Sequence, residues 1–383
     1  MALQAHFEFR SPTQIVHGPG SRAQLAEFLG EQKPLVVTDK GLVKAGVADQ
    51  VLDVLTRARI DSVLFDGALP NPPARCVHAG ERLYKKAQCT AIVAVGGGSP
   101  MDVAKMIGVV VGHGGRIESY LGSNKVPGAI PPLYCLATTY GTGSEVTPFA
   151  VLTNPKTQNK DPVISWHIAP LVGILDPELC AALPLSVGGP TGMDALTHAI
   201  ESYTNLLANP ITEGLALQAI GLIGANLRQA CANDYEIRAT ENMLIASMLA
   251  GMAFSQTRLG NVHAMSHPAG AQYGIHHGLA NAILLPYVME FNLPARIEKF
   301  AQIAQALGAD TNGMEIREAA QAAVNTVWEL NNDLRIPTKR SAYGVKRAGI
   351  KRMSAAAMTS GNVTVNPRKT EQADIEAIFS EAI

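Results

Sequence analysis

The first half of the chain alternates short apolar runs with amphipathic stretches, a pattern that predicts strands interleaved with helices. Residues 34–39 (PLVVTD), 61–65, 91–95 (AIVAV) and 132–137 read as strands, and residues 21–29 and 79–87 read as helices between them. Strands alternating with helices imply right-handed crossovers and a mainly parallel sheet. Their nearly continuous apolar character implies cover on both faces. From about Pro190 the pattern changes. Residues 193–203, 213–232, 240–252 and 316–330 carry helical periodicity, and strand candidates become few. The turn-rich stretch 184–190 (PLSVGGP) is the best boundary. The expectation is an α/β domain over residues 1–187 and a helical domain over 188–383, with an active site in the cleft between them.

Composition narrows the class. The 383 residues are 47% hydrophobic and 16% charged, enough for a large core and unlike a disordered chain. With 31 basic and 32 acidic residues, there is no electrostatic footprint for nucleic acid or an anionic membrane, and self-association is permitted. The apolar runs are broken well before the length of a membrane span, and the N-terminal residues do not read as a secretory signal. The five cysteines are scattered without a CxxC pair, which fits reduced thiols in a cytoplasmic protein.

Two stretches carry chemistry. Residues 94–105 read AVGGGSPMDVAK, a strand end, three glycines and a helix start. Ser99 reads as the N-cap, Pro100 as the first helical residue and Asp102 as the reciprocal capping partner. Backbone N–H groups at such a turn, with the positive end of the helix dipole, suit a pyrophosphate. The stretch is not a G-x-G-x-x-G fingerprint, so a tight strand-to-helix turn explains it about as well. Residues 138–147 (TTYGTGSEVT) follow another strand end and can line the same channel or form an ordinary loop. Asp39 closes the first clear strand, where a carboxylate can accept from a ribose diol and disfavour a 2′-phosphate.

The second stretch is histidine-rich. Asp194 and His198 lie four apart on a predicted helix and share a face. Taken alone, this pair is more commonly a buried histidine bonded to a helix-mate carboxylate. Residues 259–277 (LGNVHAMSHPAGAQYGIHH) add His263, His267, His276 and His277, with Pro268 disturbing the helix. Such clustering is hard to reconcile with core packing, because each neutral imidazole still needs partners. Histidine with carboxylate suits zinc or ferrous iron, although spacing does not say which residues bind.

These segments resemble the iron-containing, or group III, alcohol dehydrogenases. The likeness covers GGGSPMDVAK, ATTYGTGSEVTPFAVLT, DPEL at 176–179, TGMDALTHAIESYT, the long run LGNVHAMSHPAGAQYGIHHGLANAILLPYVM and the tail tripeptide Asn366-Pro367-Arg368. The resemblance implies a Rossmann-like α/β domain followed by an all-α domain, the arrangement of dehydroquinate synthase. It implies metal ligands at Asp194, His198, His263 and His277, the last because the ligand directly precedes the glycine at Gly278. It implies NAD on Gly97, Gly98 and Ser99, with Thr138, Thr139, Thr142, Lys160 and Leu179 along the cofactor and Asp39 at the ribose. His267 resembles a histidine proposed to move protons. Phe149, Phe254 and Leu259 flank the motifs and are candidates for the substrate pocket.

The implied activity is NAD-dependent interconversion of small primary alcohols or diols and aldehydes, with Fe2+, Zn2+ or another divalent ion, in a homodimer or larger assembly. A zinc-dependent polyol dehydrogenase and a metal- and NAD-using lyase of the same fold are the alternatives. A lyase acting on an acidic, phosphorylated substrate calls for more basic residues than lie near Asp194 or His263.

Overall fold

A computed structural model describes residues 6–153, 160–181, 183–232, 236–337 and 344–382. The chain divides into two compact units, one of residues 11–182 and one of residues 1–10 with 183–383.

The first unit is α/β. Its strands are β1 (Gln14–His17), β2 (Pro34–Val37), β3 (Val63–Phe65), β4 (Ala91–Gly96), β5 (Gly122–Ser123), β6 (Leu133–Ala137), β7 (Phe149–Thr153), β8 (Lys160–Ile164) and β9 (Val172–Leu175). Its helices are α1 (Leu25–Leu29), α2 (Lys40–Lys44), α3 (Val47–Arg57), α4 (Ala74–Lys86) and α5 (Gly98–His113). Six strands form one sheet in the order β1-β9-β6-β4-β2-β3, with every pairing parallel. β2, β4, β6 and β9 are buried along their whole length, as a sheet covered on both faces requires. After β3 the chain crosses back to place β4 on the other side of β2, so the order reverses between these two strands. A reversal of this kind opens a crevice at the carboxyl ends of the strands. A small second sheet, β5-β8-β7, joins a parallel and an antiparallel pair.

The second unit is helical: α6 (Leu185–Thr204), α7 (Pro210–Ala232), α8 (Ile237–Thr257), α9 (Asn261–Tyr273), α10 (His277–Asn292), α11 (Ile297–Ala306), α12 (Ile316–Asp333), α13 (Ile350–Met358) and α14 (Gln372–Glu381). α6 lies at its centre, buried continuously from Gly188 to Thr204 and packed against α7, α8 and α10. No described helix is long and apolar enough to cross a membrane. None of the five cysteines forms a disulfide.

Three local expectations are corrected. Residues 184–190 are not a turn, since α6 starts at Leu185 and runs through Pro190. Pro184 accepts from the N–H groups of Val187 and Gly188, and the Thr191 hydroxyl donates to the Val187 and Gly188 carbonyls, while Pro190 removes the helical N–H that the Ser186 carbonyl would otherwise take. α9 likewise continues past Pro268 to Tyr273. Ser99 is not the N-cap of α5; that helix begins at Gly98, its N-cap is Gly97, and no side chain caps it. Asp102 instead accepts from the Val151 N–H at 3.1 Å, a long-range bond that local capping rules do not anticipate.

Candidate functional site

The α/β unit gathers three loops at the carboxyl edge of neighbouring strands. Val37 of β2 stands beside Ala94 of β4, and Gly96 of β4 stands beside Ala137 of β6. Asp39, the glycine turn and Thr138 therefore leave the sheet side by side. At the turn the glycines answer a steric demand. A Cβ on Gly97 would meet Thr139 Oγ1 at 2.8 Å, and one on Gly98 would meet Thr142 Cγ2 at 3.1 Å. With no side chain capping α5, the first N–H groups of the helix remain for an anion. The Thr138 hydroxyl is buried with no hydrogen-bond partner among the described residues. Orphan donors of this kind fit a dinucleotide.

Asp39 is the N-cap of α2, its Oδ1 accepting from Gly41 and Leu42 N–H at 2.8 and 3.0 Å. Lys160 begins β8, and its charge, with that of Lys105, opposes the burial that raises the Asp102 carboxyl pKa. Leu179 is packed in the core with Val95, Leu136 and Ile174. Phe149 begins β7.

Sequence reasoning missed the group that fastens this edge together. Lys105 of α5 is completely buried. Its ammonium donates to the carbonyls of Ser144, Thr147 and Phe149 at 2.7, 2.9 and 2.8 Å and reaches the Ser144 and Thr147 hydroxyls at 3.1 Å. A buried ammonium is costly unless paired and hydrogen-bonded; here it ties the glycine-turn helix to the threonine loop. Burial pushes Asp102 up to about 6 and Glu145 up to about 7, against the pull of the Lys105 charge.

The helical unit assembles the second constellation. Asp194 and His198 occupy one face of α6, His263 and His267 lie one turn apart on α9, and His277 is the first residue of α10. The Nε2 atoms of His198, His263 and His277 lie 3.9, 3.8 and 3.8 Å from Asp194 Oδ1. Ligand atoms of Asp194, His263 and His277 all fall within 4.8 Å of one another. Two ligands each about 2.1 Å from one ion are themselves about 3–4 Å apart, so this donor set fits a divalent cation. His276 is exposed, outside the group. Close backbone approach places His277: a Cβ on Gly278 would meet the Pro190 carbonyl oxygen at 2.5 Å.

His198 is stacked between the rings of Phe254 and His263, at 4.5 and 4.6 Å. His267 is half-buried, its ring 5.3 Å from that of His277. Leu259 is half-buried, between α8 and α9. Glu201, one turn beyond His198, was not singled out in the sequence. Its Oε2 lies 2.6 Å from His263 Nδ1, and its Oε1 accepts from the Val262 N–H at 2.7 Å. A proton on Nδ1, held by that carboxylate, leaves the Nε2 lone pair facing Asp194. Burial pushes Glu201 up to about 7, against the pull of the Gly260 and Val262 N–H groups. The only prior signal for Glu201 was its helical spacing from His198.

Comparison with known proteins gives a consistent picture. Residues 12–177 match the family model "iron-containing alcohol dehydrogenase", and residues 190–383 match "Fe-containing alcohol dehydrogenase family, C-terminal". The chain is 44% identical to the 1,3-propanediol dehydrogenase of Citrobacter freundii, over 98% of both chains. It is 39% identical to the NAD-dependent methanol dehydrogenase of Bacillus methanolicus, over 98% of this chain and 99% of that one. A crystal structure of a 1,3-propanediol oxidoreductase superposes with a TM-score of 0.96 at 43% identity, covering 99% of this chain and 100% of the other.

Proposed function

Because this chain belongs to the iron-containing alcohol dehydrogenase family, we propose that it interconverts small primary alcohols or diols and their aldehydes, passing hydride to and from NAD. The observation that carries this reading is the convergence of three imidazole Nε2 atoms on Asp194 Oδ1. In this reading Asp194, His198, His263 and His277 hold one divalent ion, Fe2+ in the first place and Zn2+ as the alternative. Gly97, Gly98 and Ser99 take the pyrophosphate, Asp39 the ribose, and Thr138, Thr139, Thr142, Lys160 and Leu179 the remainder of the cofactor. Phe149, Phe254 and Leu259 limit the substrate to small molecules.

When bound, a divalent ion lowers the pKa of an adjacent hydroxyl by several units, which favours the alkoxide that hydride loss requires. The protein's part is electrostatic and geometric. One carboxylate and three neutral imidazoles would leave a divalent ion held there with a net charge of about +1, suited to an anionic oxygen. Glu201 holds His263 in the tautomer that presents Nε2. Phe254 packs His198 in place. His267, beside His263 and His277, is positioned to take the released proton. Five cysteines outside any disulfide suit a reducing, cytoplasmic setting, and the near-zero net charge permits a homodimer or larger assembly.

The test is NAD reduction over a panel of short primary alcohols and diols, with chelator-treated protein and with Fe2+ or Zn2+ restored. Activity should vanish on chelation and return with the ion. Full turnover by metal-free protein overturns the proposal.

A further inference from the structure

One turn after His277, α10 turns a second polar side chain toward the same group. Asn281 is completely buried. Its Nδ2 lies 2.6 Å from Asp194 Oδ1, 3.0 Å from His263 Nε2 and 3.3 Å from His277 Nε2. The nearest two are acceptors, since Asp194 offers carboxylate lone pairs and His263 Nε2 is bare while Nδ1 gives its proton to Glu201. The amide nitrogen is the atom that belongs there: the carbonyl oxygen in its place would face these lone pairs with its own. Asn281 Oδ1 itself has no hydrogen-bond partner among the described residues. Leaving a buried acceptor bare costs stability. The residue is therefore held for its two N–H groups.

Building on the metal-site reading above, we propose that Asn281 is a positioning residue for the ion. Its amide donates to Asp194 Oδ1 and to the His263 Nε2 lone pair in the metal-free protein. It thereby fixes the carboxylate orientation and keeps mutually repelling acceptors converged. When an ion takes the imidazole lone pairs, the N–H donated to Asp194 remains. The proposal gives Asn281 no place among the ligands themselves.

The experiment titrates Co2+ into metal-free wild type, Asn281→Ala, Asn281→Asp and Asn281→Ser, reading affinity by competition with a chromophoric chelator and geometry by the cobalt ligand-field bands. Asn281→Ala should lose about 10–100-fold in affinity, the usual cost of removing an outer partner of a ligand, and its bands should shift. Asn281→Asp should also weaken binding, because an ionised carboxylate cannot donate and repels Asp194. Asn281→Ser keeps a smaller donor and should recover part of the loss; it carries the test should the alanine variant fail to fold. Wild-type affinity and bands in Asn281→Ala overturn the proposal. So does binding by Asn281→Asp as tight as wild type or tighter, which would make the Asn281 oxygen a ligand. Asp194→Ala is the control. Undiminished Co2+ binding there defeats the metal-site reading itself, whereas loss there with no effect at Asn281 defeats only this inference.

Discussion

His267 stands one turn beyond His263 on α9, its ring 6.1 Å from that of His263 and 5.3 Å from that of His277. Its ring faces those of two proposed ligands, and it is not itself proposed as one. A group in that position can carry the proton that the alcohol releases. Positioned acid–base groups contribute factors of about 100 to 10,000 in rate. His267→Ala should therefore lower kcat by about 100-fold while the purified variant keeps one metal ion per chain, measured by elemental analysis. Loss of stoichiometric metal would make His267 a ligand and displace the relay. Glu201 works at the same scale by another route, through the tautomer of His263.

Among the elements, α5 does two things at once. Its N-terminus presents the glycine turn, and two turns on its Lys105 clamps the Ser144–Phe149 backbone through three carbonyls. Removing the ammonium leaves those acceptors bare and leaves Asp102 and Glu145 buried without their nearest compensating charge. Lys105→Met should cost about 3–5 kcal/mol of stability, the usual effect of breaking a buried charged network, measured by urea denaturation. The loss should depend on pH. Burial raises both carboxyl groups above their ordinary values, to about 6 and about 7, so their ionisation costs stability as pH rises from the usual carboxylate range through those values. The Lys105 charge offsets part of that cost. The deficit of Lys105→Met should thus be larger at pH 8 than at pH 5; an equal deficit at both would remove Lys105 from the charge balance.

At the scale of the molecule, the proposed ligands come from three helices of one unit, with Asp194 and His198 on α6, His263 on α9 and His277 on α10. An ion bound there cross-links these helices and binds the folded state alone. Mass action then gives a stabilisation of about 2.7 kcal/mol at a free-ion concentration of 100 times Kd. For a unit of this size that is a rise in Tm of about 5–10 °C. Calorimetry of metal-free protein with and without the ion measures it, and Asp194→Ala should abolish the shift. An unaltered shift in that variant would put the ion elsewhere.

What the chain carries locally was legible before any tertiary structure. Apolar runs gave four strands of the parallel sheet, helical periodicity gave α6, α7, α8 and α12 of the second unit, and four-residue spacing put Asp194 with His198 and His263 with His267. β1, β5, β7, β8 and β9 escaped notice because short strands bounded or broken by polar, glycine or proline residues give no clear apolar run. Non-local matters were decided by packing. Glu201 does not differ in the sequence from any other helical glutamate until α9 brings His263 against it. Asn281 acquires meaning only when α10 meets Asp194, 87 positions away. The same holds for Asp102, which has the right spacing for a cap but is drawn to Val151 N–H because burial leaves each of them without water. Local pattern sets what an element is, since it depends on neighbours three or four residues off. Which buried polar groups meet depends on the folded core, where each must find a partner that sequence distance does not reveal.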